Sequence, residues 1–409
     1  MTEELLAACD IAEDENKNRQ ARFELGSVLS LADIGGVDAP RCLAALRPSE
    51  PVSWIAQMGG WLVTSHDAAR QLLAPRPDVT VQSQQNMVRA SLGRTMLAVD
   101  GHEHDRLRHP FEVPFRPREV ESRFRQDIND LCKELLTPLR GMERIDLDAQ
   151  FGAPFAVQMA GRLVGLDLGE SRRIAGFYEV FADAMQYDDN PARLERANRA
   201  RAELDEILAA SISRARTVDS FLREARLRNN GEISDEEFIA QLRVIMFGAI
   251  ETIRATLLNT VLMLFENPWA RAAVEGNSDE YVGAVAEAQR LIPPVAFVER
   301  WVARPLEICG TRIGTGEFIG VSVVGANRDP AVFDEPDVFR LDRPNAQRSL
   351  SFSFGEHHCL GFHLARLQCA LAMAAMDQCL GSYEVVSSSD PVGFAFRRPE
   401  SIWLRSPAY

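Results

Sequence analysis

The residues best placed to do chemistry lie in one stretch, Phe352-Ser353-Phe354-Gly355-Glu356-His357-His358-Cys359-Leu360-Gly361. A short extended run turns through Gly355 and delivers Cys359 to the first turn of an apolar helix, with Leu360, Leu364, Leu367 and Leu371 at helical spacing. A sulfur at a helix N-terminus faces unpaired N–H groups and the positive end of the dipole, which favours the thiolate. A single thiolate held this way can be the axial ligand of a haem iron, donating electron density that promotes O–O cleavage. Gly355 permits a turn that a Cβ would strain, and Gly361 lets a flat macrocycle approach the helix. Two plainer readings compete. Cysteine is among the most buried residue types and is often only structural. A zinc site built from His357, His358, Cys359 and His363 is conceivable, although neighbours within one turn converge poorly on a tetrahedral ion.

Other polar groups stand out against apolar surroundings. Glu251 and Thr252 interrupt Val244 to Ile253, where nearly every residue is apolar. A buried carboxylate beside a hydroxyl is costly unless bonded or functional. Plainly read, Thr252 bonds back to a carbonyl one turn earlier and Glu251 meets an arginine; the functional reading is a proton relay. His104 and Arg108, in Asp100-Gly101-His102-Glu103-His104-Asp105-Arg106-Leu107-Arg108, stand four apart at a helix start that could simply be solvated. Glu287 and Arg290 are three apart on another helical segment, a spacing common by chance.

The cysteine stretch matches F-[GS]-x-G-x-[HR]-x-C-x-G, and so resembles the ligand loop of the cytochrome P450 family at every fixed position. His104 and Arg108 resemble the family's H-x-x-x-R element, Glu287 and Arg290 its E-x-x-R pair, and Gly248-Ala249-Ile250-Glu251-Thr252 its [AG]-G-x-[DE]-T. Ala249 departs from the usual glycine, and its methyl could narrow an oxygen groove. The resemblance covers roughly Asp38 to the C-terminus. It implies haem b with Cys359 as iron ligand and O₂ as co-substrate. It also implies His104, Arg108, Arg300 and His357 on the propionates, with Phe352, Gly361, Gly248 and Ala249 against the ring. Thr252 and Glu251 would deliver protons, with Gly248 and Ala249 letting the helix open over the haem. Glu287 and Arg290 would be a structural ion pair with a third basic partner, Arg340 or Arg343. Val244, Phe247, Gly248, Val295, Ala296, Phe297, Phe394, Ala395 and Phe396 would wall a substrate pocket, and its aromatic character hints at a compact aromatic or terpenoid molecule.

These residues need a scaffold of long helices. At 409 residues and 46% apolar, the chain can bury a large core. The fold expected is mainly helical with small β regions, a single triangular domain over residues 38–409. Residues 1–37 show no clear apolar stripe and read as a mobile or family-specific extension. Ser234-Asp235-Glu236-Glu237 is a capping box that launches a helix to about Glu266, stopped by Asn267-Pro268. Val52 to Met58 and Trp61 to Thr64 read as strands joined at Gly59-Gly60, and Ser65 as the cap of a helix to Leu73. Ala74 to Gly93 reads as loop, and Val295 to Arg300 as a strand followed by a hairpin from Ile308 to Val324. Breaks fall at Asp188-Asp189-Asn190-Pro191, and a helix spans Asp279 to Leu291.

A formal charge of −14 argues against a nucleic-acid partner. No apolar run approaches the roughly 20 residues of a membrane span. The polar start and seven cysteines, odd in number and without C-x-x-C spacing, suit a reducing cytoplasm. The activity implied is monooxygenation, hydroxylating or oxidatively demethylating a small apolar substrate. Electrons would come ultimately from NAD(P)H through a ferredoxin or flavodoxin and its reductase, or through a fused reductase, docking near Arg106, Arg348, His358 and Arg366. Rival readings are a peroxide-driven enzyme of the same fold and a haem sensor or carrier without turnover. Neither requires the Glu251–Thr252 pair.

Overall fold

A 32-residue helix, Asp235–Glu266, is the axis of the molecule. At about 1.5 Å per residue it is close to 48 Å long, and it starts as its sequence dictates. Ser234 accepts from the Glu237 amide, and the Glu237 carboxylate accepts from the Ser234 amide. Its middle is buried on most sides. Being long and apolar, it passes on composition as a bilayer span, contrary to the sequence expectation, but it is a core helix with most of that stretch enclosed. The computed structural model describes residues 15–185, 190–214, 221–277 and 280–407. Asp188, Asp189 and Asp279, and positions 1–14 of the expected extension, lie outside these.

Helices Pro117–Leu136, Ala153–Leu163, Leu168–Ala184, Pro191–Arg214, Tyr281–Leu291 and Phe362–Leu380 share the main core with the central helix. The strands, in chain order, are β1 Val52–Ile55, β2 Gly60–Val63, β3 Val79–Thr80, β4 Arg144–Asp146, β5 Phe297–Val302, β6 Leu306–Ile308, β7 Thr311–Ile313, β8 Phe318–Ser322, β9 Glu384–Ser388 and β10 Ile402–Arg405. One sheet has the order β1-β2-β8-β5-β3, a second β4-β10-β9, and β6-β7 form a hairpin. Cys309 and Gly310, with φ of 49° and 71°, make the two-residue turn between β6 and β7.

Three sequence expectations change. Residues 15–37 are docked: Phe23 and Ile34 are buried, and Glu50 accepts from the Leu25 and Gly26 amides at 2.9 and 3.0 Å. The tract Ala74 to Gly93 holds β3 and a helix, Met87–Leu92, capped by Asn86 onto the Arg89 amide. Ser65 stands at the N-cap of His66–Leu73 without a side-chain cap bond. Short polar-flanked elements carry too little periodicity to be seen from sequence.

Candidate functional site

Cys359 does not sit in the first turn of a helix. The chain passes through a 3₁₀ turn at Gly355–His357, and Phe362–Leu380 begins only after Gly361, its N-cap. The loop is pinned by the Cys359 amide donating to the Phe352 carbonyl at 2.9 Å. Gly355 has φ 73°, and a Cβ there would lie 2.5 Å from the Leu73 carbonyl, so only glycine closes this turn. Burial pushes the Cys359 thiol up, while the Gly361 amide and Arg108 pull it the other way less strongly. The surrounding protein alone therefore does not favour the thiolate, and a metal ion at the sulfur would.

Every residue from Ser351 to Phe362 is half-buried although the helix that follows is core. The central helix has a matching open strip. Gly248 is exposed and Ala249 and Thr252 half-buried, between buried Phe247, Ile250 and Glu251. A Cβ at Gly248 or at Gly361 would meet no heavy atom within 4 Å, so both backbones border open space.

A polar cluster stands beside the loop. His104, on the helix Gly101–Glu112, is 1% exposed; its Nδ1 is 2.7 Å from the Met96 carbonyl and its Nε2 has no partner. Because that carbonyl can only accept, Nδ1 carries a proton, and Nε2 can donate as well only when the ring is charged. The His104 and His357 rings meet edge to face at 4.4 Å. Arg300 on β5 is 5% exposed, and its Nη1 donates to the Glu299 carbonyl. Among the described residues no carboxylate forms an ion pair with it, and burial pushes its pKa down to about 10, only partly offset by Asp100, Glu356 and Glu299 nearby. A buried cation without a counter-ion is costly. With the orphaned Nε2, it makes a place for a carboxylate. Together with the open space at Gly248 and at Gly361 and the Cys359 sulfur in the neighbouring loop, this donor set fits a flat porphyrin bearing acid groups.

His357 and Arg108 are more engaged than expected. Nε2 of His357 is 3.1 Å from Asp100 Oδ1, and burial lowers its pKa despite that bond, with Arg300 and His104 adding to the depression. Arg108 donates to the His358 carbonyl at 2.9 Å and to Glu112 at 3.2 Å. Asp100, whose role the sequence did not reveal, ties the cluster together, accepting from Thr80 Oγ1 at 2.5 Å and the Val81 amide at 3.0 Å. Burial raises its pKa, but these bonds and His357 outweigh it and the net direction is down.

The zinc quartet is not assembled. Among the described residues the one grouping of three possible ligands is His104, Glu356 and His357.

Thr252 follows the plainer reading at its own hydrogen bond, donating to the Gly248 carbonyl. Glu251, 5% exposed, does not: among the described residues it pairs with no arginine, and burial pushes its carboxyl up. Glu287 and Arg290 do form a buried two-point pair, at 2.7 and 2.8 Å. The third basic partner is Arg343, whose Nε reaches Glu287 at 2.7 Å, whereas Arg340 offers only its amide, at 3.2 Å.

The expected pocket walls divide. Phe247 and Phe396 meet edge to face at 5.3 Å, with Tyr178 stacked beyond Phe247. Val295, Ala395 and Phe396 are half-buried, while Val244 is closed into the main core. Phe297 and Phe394 also serve the core. They stack at 4.3 Å, within a separate core with Ile34, Leu43 and Ala296. That core exists because the N-terminal segment docks, which sequence reading did not foresee.

A helical fold with Cys359 in a glycine-closed loop beside a carboxylate-accepting cluster fits a haem-thiolate protein, and comparison with known proteins agrees. Residues 193–391 match the family model for cytochrome P450. Over 356 residues the chain is 30% identical to 20-oxo-5-O-mycaminosyltylactone 23-monooxygenase of Streptomyces fradiae, covering 82% of this chain and 81% of that one. It is 27% identical to cytochrome P450 107B1 of Saccharopolyspora erythraea, covering 91% and 95%. Among solved structures, that of CalO2 superposes with a TM-score of 0.82 at 23% identity, over 93% of this chain and 99% of that one. The chain belongs to the cytochrome P450 family and is a haem-thiolate monooxygenase.

Proposed function

We propose that this monooxygenase hydroxylates or oxidatively demethylates a small apolar substrate held against the central helix. The observation that carries this reading is the open strip Gly248-Ala249-Thr252, flanked by apolar side chains and by the one buried acid of that helix segment, Glu251. Haem b, when bound through Cys359, supplies the activation of O₂. The chain supplies the rest. Cys359 offers its sulfur from a loop that Gly355 and the Phe352 carbonyl fix. His104 Nε2 and the Arg300 guanidinium take one carboxylate region, with Arg108 and His357 at its edge. Thr252 presents its hydroxyl on the open strip, and to donate there it must release the Gly248 carbonyl. Glu251 holds the reserve proton. Phe247 and Phe396 favour a compact aromatic or terpenoid substrate.

Electrons come in this proposal from NAD(P)H through a small acidic ferredoxin or flavodoxin, or a reductase carried on a longer chain, in the cytoplasm. Arg348, His358 and Arg366 remain candidates for its docking. Arg106 does not, because Glu103 at 2.7 Å and Glu237 at 2.5 Å neutralise it. A screen of small apolar compounds for a shift of the Soret band tests the pocket: aromatic and terpenoid compounds shifting it at micromolar levels support the proposal. A response confined to long-chain or polar compounds overturns the substrate class.

A further inference from the structure

Glu251 has company that its own helix does not explain. A five-residue π-turn, Asp148–Gly152, precedes the helix Ala153–Leu163 and packs beside the central helix. It projects Asp148, 4% exposed, onto Arg254, the residue three places after Glu251. Arg254 Nε and Nη2 donate to the two Asp148 oxygens at 2.7 and 2.5 Å. Arg398, from the C-terminal segment, reaches Asp148 at 3.6 Å and donates to the Pro399 carbonyl at 3.0 Å. Gly152 allows this arrangement, since a Cβ there would stand 3.3 Å from Asp148 Oδ1.

On a helix, residues three apart are neighbours, so Arg254 would be the natural partner of Glu251. Two-point carboxylate–guanidinium pairing is strong and directional, and Asp148 takes it instead. We infer that Asp148 is a positioning residue for Glu251: by holding Arg254 in a fork and drawing in Arg398, it keeps both guanidiniums off the Glu251 carboxyl and leaves that group free to bind and release a proton.

The charges facing Glu251 are Arg254 on its own helix, Asp148 on the π-turn, Arg398 on the C-terminal segment and Glu179 on the helix Leu168–Ala184. Burial pushes the Glu251 carboxyl up, the two arginines oppose this, and Glu179 and Asp148 add to it. The reading of Asp148 stands on geometry, and its consequence for turnover rests on the proposed relay role of Glu251.

The test is an infrared pH titration of the haem-loaded protein, with the Glu251 carboxyl band assigned by its loss in Glu251→Gln. In Asp148→Asn the freed Arg254 turns to Glu251, and the band's midpoint falls by roughly 1 to 3 pH units. In Arg254→Gln, Asp148 keeps only its longer contact with Arg398 and the midpoint rises; this variant decides the question if Asp148→Asn does not fold. Asp148→Glu, which keeps the charge, restores the midpoint toward the parent value. Unmoved midpoints in Asp148→Asn and Arg254→Gln overturn the inference. The solvent isotope effect on turnover and product formed per electron are measured on the same proteins. If the midpoint moves while these stay constant, the positioning role holds and the relay role of Glu251 fails.

Discussion

Three of the functional side chains proposed here are held in ways their residue types alone do not disclose. Cys359 lies ahead of its helix, where burial favours the thiol, and His104 is held in one tautomer by the Met96 carbonyl. Thr252 donates backwards to Gly248, a bond within its own helix, so loss of its hydroxyl should spare the fold and strike chemistry. In Thr252→Ala we expect substrate-induced spectral shifts to persist while reducing equivalents drain into peroxide; product per electron equal to the parent's contradicts the relay. General acid catalysis contributes roughly 10² to 10⁴-fold, which bounds the loss. The sequence singled out Cys359, His104, Thr252 and Glu251 as candidates because their spacing is local. It could not show that Asp148 governs Arg254, since the two are 106 residues apart and each is unremarkable in its own segment.

Among elements, the central helix is the clearest case of local chemistry deciding structure, with a capping box at one end and Asn267-Pro268 at the other. Ser234→Ala removes one acceptor from the first turn and should cost about 1 kcal/mol in denaturant unfolding, with Ser234→Gly costing less. The helix start is also tied sideways. Glu103, on the helix bearing His104, pairs with Arg106 and Arg94, and Arg106 also bonds Glu237. Hydrogen bonds from Arg106, with Arg94 adding, hold the Glu103 carboxyl at about 2, against an ordinary 4.5. A lowered folded-state pKa stabilises above the unfolded value and loses that contribution as pH falls through the folded one. Melting temperatures of parent and Glu103→Gln should therefore differ most above pH 4.5 and converge as pH approaches 2; a constant gap across this window contradicts the assignment. The short strand and helix between Ala74 and Gly93 escaped sequence reading because their order comes from tertiary partners, β5 for the strand and Glu299 for the Met87 amide.

Across the whole molecule, the buried Glu287–Arg290–Arg343 triad fastens the helix Tyr281–Leu291 to the segment before the cysteine loop, with Arg290 also donating to the Asn327, Pro336 and Val338 carbonyls. Glu287→Ala leaves two arginines in the interior without a counter-charge, and should destabilise by about 3 to 5 kcal/mol and impair haem retention. Unfolding followed by circular dichroism and haem absorbance checks both. The fold class was legible in the sequence because long periodic helices and ordered motifs span most of the chain. The docking of residues 15–37 was not, nor was the stack of Phe297 and Phe394 in the core that this docking closes. The proposed function requires the Cys359 sulfur to ligate iron. The reduced carbon monoxide spectrum of the purified haem-loaded protein tests it most directly. Long-wavelength Soret absorption in the parent, lost in Cys359→His with haem retained, is the predicted result. A parent protein that binds haem yet lacks that band, or a Cys359→His variant that keeps it, would show that this sulfur is not the ligand.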